Sequence, residues 1–164
     1  MNYMNNKDIL LVAFNQLESQ EKEKSFEGAV KLVKAIFMAQ SESSQKNVDS
    51  EHCFHYSFYR WDYGPFDSKI YKDLAVLEAE GLIKIKYSGF EKCFILTQKG
   101  EEKALEFESD LKKIPTVIET IGSWMNKIKR MSKSEVLNLV YSSARVSEYE
   151  MGDLITLPKV VSSH

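Results

Sequence analysis

The chain has 164 residues, of which 43% are hydrophobic, and a formal net charge of −2. Such a chain can bury the core of one domain, or of a small domain with a helical extension, but it lacks the overall basic excess of many nucleic-acid-binding proteins, so any DNA contact requires a local basic patch. No run of about 18 apolar residues and no basic, cleavable N-terminal segment is present, which predicts a cytoplasmic protein without a membrane anchor.

Two amphipathic helices are predicted in the N-terminal part of the chain. Asn5 or Asn6 can cap the first, whose apolar residues follow the helical period until it ends near Ser19. Ser25 is predicted to cap the second. The following segment 41–50 (SESSQKNVDS) is polar and lacks periodicity, which predicts a loop. The buried stripe of the second helix is predicted to be Phe26, Ala29, Val30, Val33, Ile36 and Phe37.

An aromatic strand is predicted at 53–61 (CFHYSFYRW), because aromatic residues favour strands and alternate residues share a face. Gly64 and Pro65 then break regular structure, and Asp67 is placed to cap a helix that reaches Glu80 and stops at Gly81. One face of the strand would carry Phe54, Tyr56 and Phe58, and the other Cys53, His55, Ser57 and Tyr59. The buried stripe of the helix would be Ile70, Leu74 and Leu77.

A β-hairpin and three further helices complete the predicted order. The strands LIKIKY and KCFILT flank a glycine-containing turn, and Thr97 is placed to cap a helix at 98–113. A helix at 115–129 has an apolar stripe wide enough either to cover the core or to form a homodimer seam, and Ser132 or Ser134 can cap a last short helix. The stripe consists of Ile114, Val117, Ile118, Ile121, Trp124, Met125 and Ile128.

The order of these elements resembles known folds. A helix that ends in glycine, followed by a hairpin and by LTQKG at the next helix start, resembles the helix-and-wing half of winged helix-turn-helix domains. The motif YGPF at 63–66 and the stretches IYKDLAVLEAEGLI, AVKLVKAIFMAQ and SKSEVLNLVY are similar to SocA-like antitoxin domains, also called Panacea domains, and to the related YwgA-like proteins.

The resemblance covers roughly residues 26–141 and implies a winged helix-turn-helix core. The order of elements predicts a mainly α fold with a small antiparallel β-sheet, in which this core spans 1–97 and a C-terminal helical extension at 98–164 packs on it or forms a dimer seam. The resemblance also implies prokaryotic origin and a role in regulation or toxin neutralisation rather than catalysis. One feature departs from the pattern: 26 residues separate Gln40 from Asp67, whereas a compact helix-turn-helix joins its helices by a short turn.

The first functional hypothesis is a winged-helix transcriptional regulator that binds double-stranded DNA. Its candidate side chains lie on the helix after Asp67, on the hairpin, and at the basic C-terminus of the helix at 115–129, where they could contact phosphates or base edges. Exposed lysines also keep hairpins soluble and complement helix dipoles without any ligand. The candidates are Ser68, Lys69, Lys72, Lys84, Lys86, Lys92, Lys127, Lys129 and Arg130.

The alternative hypothesis is a protein-interaction module, such as a toxin-neutralising antitoxin or an adaptor, that does not bind DNA. Its candidate interface residues are Ala75, Val76, Ala79 and Phe90, which are small or apolar on outward faces.

Neither hypothesis involves catalysis or a cofactor. The sequence has no nucleophile elbow, P-loop, HExxH or dinucleotide-binding glycine motif, so we expect no enzyme activity. Cys53 and His55 would share a strand face and could approach Cys93, but without a CxxC pair we expect reduced thiols, no metal site and no cofactor.

Overall fold

The computed structural model describes residues 4–46, 52–111, 115–143 and 146–156. These residues form a mainly α fold with a small antiparallel β-sheet, as predicted, and none of their helices is long and apolar enough to cross a bilayer. The helices are α1 (Asn6–Asn15), α2 (Ala29–Lys46), α3 (Lys69–Ala79), α4 (Gln98–Leu111), α5 (Pro115–Arg130) and α6 (Lys133–Ser142). The strands are β1 (Ser25–Glu27), β2 (Tyr59–Trp61), β3 (Gly64–Phe66), β4 (Ile83–Ser88) and β5 (Glu91–Leu96).

Side-chain caps fix where several helices begin, because they satisfy backbone N–H groups that have no partner inside the helix. Asn5 Oδ1 accepts from the N–H of Asp8 at 2.9 Å, and Thr97 Oγ1 accepts from the N–H of Gly100 at 2.9 Å. Ser132 forms a reciprocal capping box with Glu135. The sequence predicted Thr97 as a cap and gave Asn5 and Ser132 each as one of two candidates.

Asp67 is a cap with two partners. Its carboxylate accepts from the N–H of Lys69 at 2.9 Å and from the N–H of Ser57 at 2.8 Å. It therefore starts α3 and also holds the extended segment before β2 against that helix.

The three-stranded sheet has the order β1-β5-β4, and β1 corrects the prediction of a helix capped by Ser25. Ser25–Glu27 pairs antiparallel with β5, which places Phe26 opposite Phe94 on the buried face. The helical spacing of Phe26 is misleading because the pairing partner lies far away in sequence. Gly28, with φ of +99°, then turns the chain into α2.

Three further boundaries differ from the predictions. α2 continues through 41–46, which the polar sequence assigned to a loop, because Ser41 and Ser43 are buried and Glu42 pairs with Lys46 at 3.2 Å. The rest of that predicted loop lies outside the described residues. Of the predicted strand at 53–61, only β2 is a strand, although Phe54, Tyr56 and Phe58 are buried as predicted. α1 ends at Asn15, before Ser19.

One hydrophobic cluster joins the helices on both sides of the division predicted at residue 97. α4 packs on α1, and α5 packs on α2. The buried residues of α5 are Val117, Ile121, Met125 and Ile128, whereas Ile114 lies outside the described residues. The α5 stripe is therefore used inside the chain, which removes the support for a dimer seam there.

Candidate functional site

The outward face of α3 carries the first group of predicted site residues. Its N-terminal polar residues and its small apolar residues are all exposed, as expected of an outward face. Asp73 on the same helix is half-buried and accepts a hydrogen bond from Tyr56 Oη at 2.6 Å. The exposed residues are Ser68, Lys69, Lys72, Ala75, Val76 and Ala79.

The hairpin lysines lie on two different faces of the sheet. Residues directly opposite each other on paired strands share a face. Lys86 is opposite Cys93, and Lys84 lies on the same face two residues away. Lys92 is opposite Tyr87, on the other face, where its Nζ lies 5.8 Å from the centre of the Tyr71 ring of α3. Lys92 thus lies beside α3, whereas the other two lysines do not.

The basic C-terminus of α5 adjoins the face of the sheet that carries Lys86. A cleft of about 660 Å³ lies between them, lined by Cys93, Lys129 and Arg130 among others. Burial raises the pKa of the Cys93 thiol, and the nearby Glu27 carboxylate raises it further. Arg130 is paired with Glu18, so its charge already has a partner.

The other predicted side chains do not join this cleft. Lys127 lies over the Trp124 ring, 4.9 Å from its centre, and Phe90 is fully exposed at the hairpin tip. Cys53 is buried with its Sγ 3.9 Å from Ala39 O. In the described part of the chain, no group of three or more His, Cys, Asp or Glu side chains could hold a metal ion.

An exposed aromatic surface, which the predictions did not include, surrounds the β2–β3 hairpin. We call it the hairpin patch; its members are Tyr59, Trp61, Tyr63, Met151 and Leu154, each 44–54% exposed. The backbone of Tyr59 forms a β-bridge with Leu154, and Tyr59 and Trp61 alternate onto one face of β2. The patch is therefore assembled from two distant segments.

Backbone hydrogen bonds hold the two segments of the patch together. The Arg60 N–H donates to Asp153 O at 2.9 Å, the Gly152 N–H to Arg60 O at 2.7 Å, and the Ile155 N–H to Phe58 O at 2.8 Å. Arg60 also donates to Tyr149 O through its guanidinium. These hydrogen bonds fix the backbone that carries the aromatic side chains.

The two chain segments that form the patch are acidic. Segments 58–66 and 146–156 contain four carboxylates and one guanidinium. The guanidinium belongs to Arg60, which is half-buried and lies 5.7 Å from the centre of the Tyr141 ring. Exposed negative charge therefore prevails within these two segments, whereas Lys133 of α6 lies 4.6 Å from the centre of the Tyr63 ring. The carboxylates are Asp62, Glu148, Glu150 and Asp153.

A cavity of about 260 Å³ opens beside the patch, between the β2–β3 hairpin, α2 and α3. Its mouth is formed by Trp61, Asp62 and Tyr63, and its interior reaches Lys34, which is only 2% exposed. Lys34 Nζ donates to Pro65 O at 2.7 Å. Burial and the nearby Lys133 lower the pKa of Lys34 to about 7.

A sequence signal existed for part of this surface. Tyr63 is the first residue of the YGPF motif and Trp61 lies two residues before it, and large aromatics at a predicted turn are easily left exposed. Met151 and Leu154 gave no signal, because their segment has no periodic pattern and is placed only by its bridge to β2.

The comparison with family models identifies the chain. Residues 32–145 match the antitoxin SocA-like, Panacea domain, so the chain belongs to this family. Searches among curated proteins and among solved structures give no significant match.

Proposed function

We propose that this member of the SocA-like antitoxin family is a non-catalytic protein-binding module that neutralises a toxin by docking it on the hairpin patch, in the cytoplasm of a prokaryotic cell. The exposed aromatic surface around β2 and β3 carries this proposal. Large apolar side chains grouped on a surface cost solubility and are typical of interaction sites.

The chemistry of the patch suits an interface. Trp and Tyr dominate the energetics of many interfaces because they bury much area and lose little conformational entropy. Trp61 lies between the 260 Å³ cavity and an open groove lined by Tyr59 and Phe66, so a partner could enclose it from both sides. The acidic segments of the patch favour a partner with basic residues opposite them and predict a complex that weakens as salt increases.

The test is neutralisation of the protein encoded beside this chain's gene. Co-expression of this chain should restore growth of cells that the neighbouring gene's product inhibits, and the two purified proteins should form a complex. Trp61→Ala should weaken binding at least about 30-fold, since truncating a central aromatic typically costs about 2 kcal/mol or more. The matched control is Leu105→Ala on α4, which removes a side chain of similar exposure, 54%, away from the hairpin.

Two outcomes separate the possible surfaces. Wild-type affinity for both Trp61→Ala and Tyr63→Ala would contradict docking at the patch. Loss of the complex in Val76→Arg alone would move the interface to the outward face of α3, where Val76 is 41% exposed. Equal losses in Leu105→Ala and Trp61→Ala would show a general effect on folding.

A second candidate function, DNA binding, is supported by the topology. Apart from β2 and β3, which are inserted between α2 and α3, the order α1, β1, α2, α3, β4, β5 and the sheet order β1-β5-β4 are what we expect of a winged helix-turn-helix core. α3 would be the recognition helix, with Lys69 and Lys72 exposed at its N-terminal half.

The placement of the lysines weakens that candidate. Lys84 and Lys86 lie on the opposite face of the sheet from Lys92, which lies beside α3. They therefore cannot add to a DNA-contacting surface formed by α3 and Lys92. If α3 enters a groove, Lys69→Glu with Lys72→Glu should abolish salt-dependent duplex binding, and Lys84→Glu with Lys86→Glu should leave most of it. Absence of duplex binding by the wild type at low salt would refute this second function.

A further inference from the structure

The cavity beside the β2–β3 hairpin contains a lysine that has no anionic partner among the described residues. Lys34 is 2% exposed, and within the described residues its Nζ forms one hydrogen bond, to the carbonyl of Pro65, and no ion pair. An ammonium group has more than one N–H to donate. A buried charge without a counter-ion is costly, so this site favours an anion that could enter the cavity.

The charged groups near the cavity are mostly cationic, which suits an anion. Lys133 lies 4.6 Å from the centre of the Tyr63 ring and Lys92 lies 5.8 Å from the centre of the Tyr71 ring, so two more ammonium groups lie against aromatic rings that line the cavity. Asp62 is the one carboxylate that lines the cavity, and it is exposed to solvent at the mouth. The walls are mostly apolar and aromatic.

We infer that this cavity is the anchor site for a carboxylate side chain of the docked partner protein, with Lys34 as the counter-ion and the aromatic walls enclosing the aliphatic part of that side chain. The inference rests on the proposed function for the origin of the carboxylate. A carboxylate on a short apolar stem matches both the buried ammonium and the apolar walls, whereas a lysine or arginine side chain would meet the like charge of Lys34.

Carboxylate binding has a signature that a merely structural lysine lacks. In the free protein, burial holds the pKa of Lys34 near 7. A carboxylate at Nζ favours the charged form, so saturating ligand should raise that pKa by about one unit or more. If Lys34 only ties the hairpin to α2 through Pro65, no carboxylate will change it.

The experiment measures the pKa of Lys34 by NMR of its side chain in the wild-type protein, with and without 4-methylpentanoate. The matched neutral probe is 4-methylpentanol. We expect the acid to bind on the order of millimolar, as suits a ligand of about eight heavy atoms, and to raise the pKa, while the alcohol does not. Lys34→Met should abolish the shifts that the acid causes at the Trp61 indole N–H.

Lys31→Met is the matched control variant, because Lys31 is a half-buried lysine on the same helix that lines the other cleft. It should bind the acid as the wild type does. An unchanged pKa of Lys34 at saturating acid, or equal binding by Lys34→Met, would overturn the site.

Capped glutamate and capped glutamine distinguish the sources of the carboxylate. If the capped glutamate raises the pKa and the capped glutamine does not, a protein side chain is supported. If only the free acid does so, the partner-derived anchor is overturned in favour of a small-molecule site. None of these titrations uses the toxin, so failure here leaves the Trp61→Ala test of docking intact, and failure of docking leaves these titrations interpretable.

Discussion

Replacing Gly100 with alanine tests the close contact between α4 and the start of β4. Gly100 is the glycine of the LTQKG stretch and is buried in the first turn of α4. A Cβ on it would lie inside van der Waals contact of Leu82 O, 2.9 Å from Leu82 C and 2.8 Å from Leu96 Cδ1. The clash is with backbone, so no change of side-chain rotamer can relieve it.

The expected loss of stability in Gly100→Ala follows from the contacts that the new Cβ would disturb. Alanine favours a helix by about 1 kcal/mol over glycine. Against this, overpacking costs about 1–3 kcal/mol or more. Moving Leu82 O also weakens its hydrogen bonds from the N–H of Thr97 at 3.1 Å and from Thr97 Oγ1 at 3.0 Å, each worth about 1 kcal/mol. We expect Gly100→Ala to lower the free energy of unfolding by about 3 kcal/mol.

Chemical denaturation with a thermal melt measures this loss. A decrease of about 3 kcal/mol corresponds to roughly 6–12 °C in Tm for a chain of this size. The control is Gly122→Ala in α5, where the new Cβ would lie 3.2 Å from Gln16 Cβ and 3.7 Å from Gln16 Cγ, so a shift of a few tenths of an ångström accommodates it. It should change stability by less than about 1 kcal/mol. Similar stabilities for the two variants would refute the close approach.

Three further predictions concern stability. Tyr56→Phe should cost about 1.5–3 kcal/mol in denaturation, since it removes the hydrogen bond to the half-buried Asp73 carboxylate; no loss would mean that water replaces it. Between pH 7 and the ordinary lysine pKa, Lys34 binds more protons in the unfolded state than in the folded state. The stability of the wild type relative to Lys34→Met should therefore rise by up to about 1.4 kcal/mol per pH unit above pH 7. Parallel pH profiles of the two proteins would contradict this. Ser132→Ala should cost about 1 kcal/mol in denaturation by breaking the capping box with Glu135, and unchanged stability would contradict a contribution from the cap.

Features encoded within a few neighbouring residues were predictable from the sequence. The caps at Asn5, Thr97 and Ser132 each need only a side-chain oxygen near the next free N–H groups. The β4–β5 hairpin needs only alternation around a turn, and Gly89 at that turn has φ of +64°.

Features that depend on distant partners were not predictable. β1 is a strand only because β5, encoded far downstream, offers an edge to Phe26. α2 extends through a polar segment because tertiary burial of Ser41 and Ser43 overrides the local pattern. For the site, exposure of Trp61 could be suspected beside the turn, but the segment that carries Leu154 joins it only through a long-range bridge.

The connection between α2 and α3 departs from a compact helix-turn-helix and carries the surface that we propose for docking. In a compact helix-turn-helix the connection is a short turn. Here it contains two kinds of aromatic residue: Phe54 and Phe58 are buried and stabilise the core, whereas Trp61 and Tyr63 are each 51% exposed. Half-exposed aromatics contribute little to the core and lower solubility. The hairpin also forms one wall of the cavity that ends at Lys34, which leaves a buried ammonium without an anion. A partner that covers the rings and supplies a carboxylate would relieve both costs at once, so loss of Trp61 and loss of the Lys34 charge should be energetically coupled in the complex.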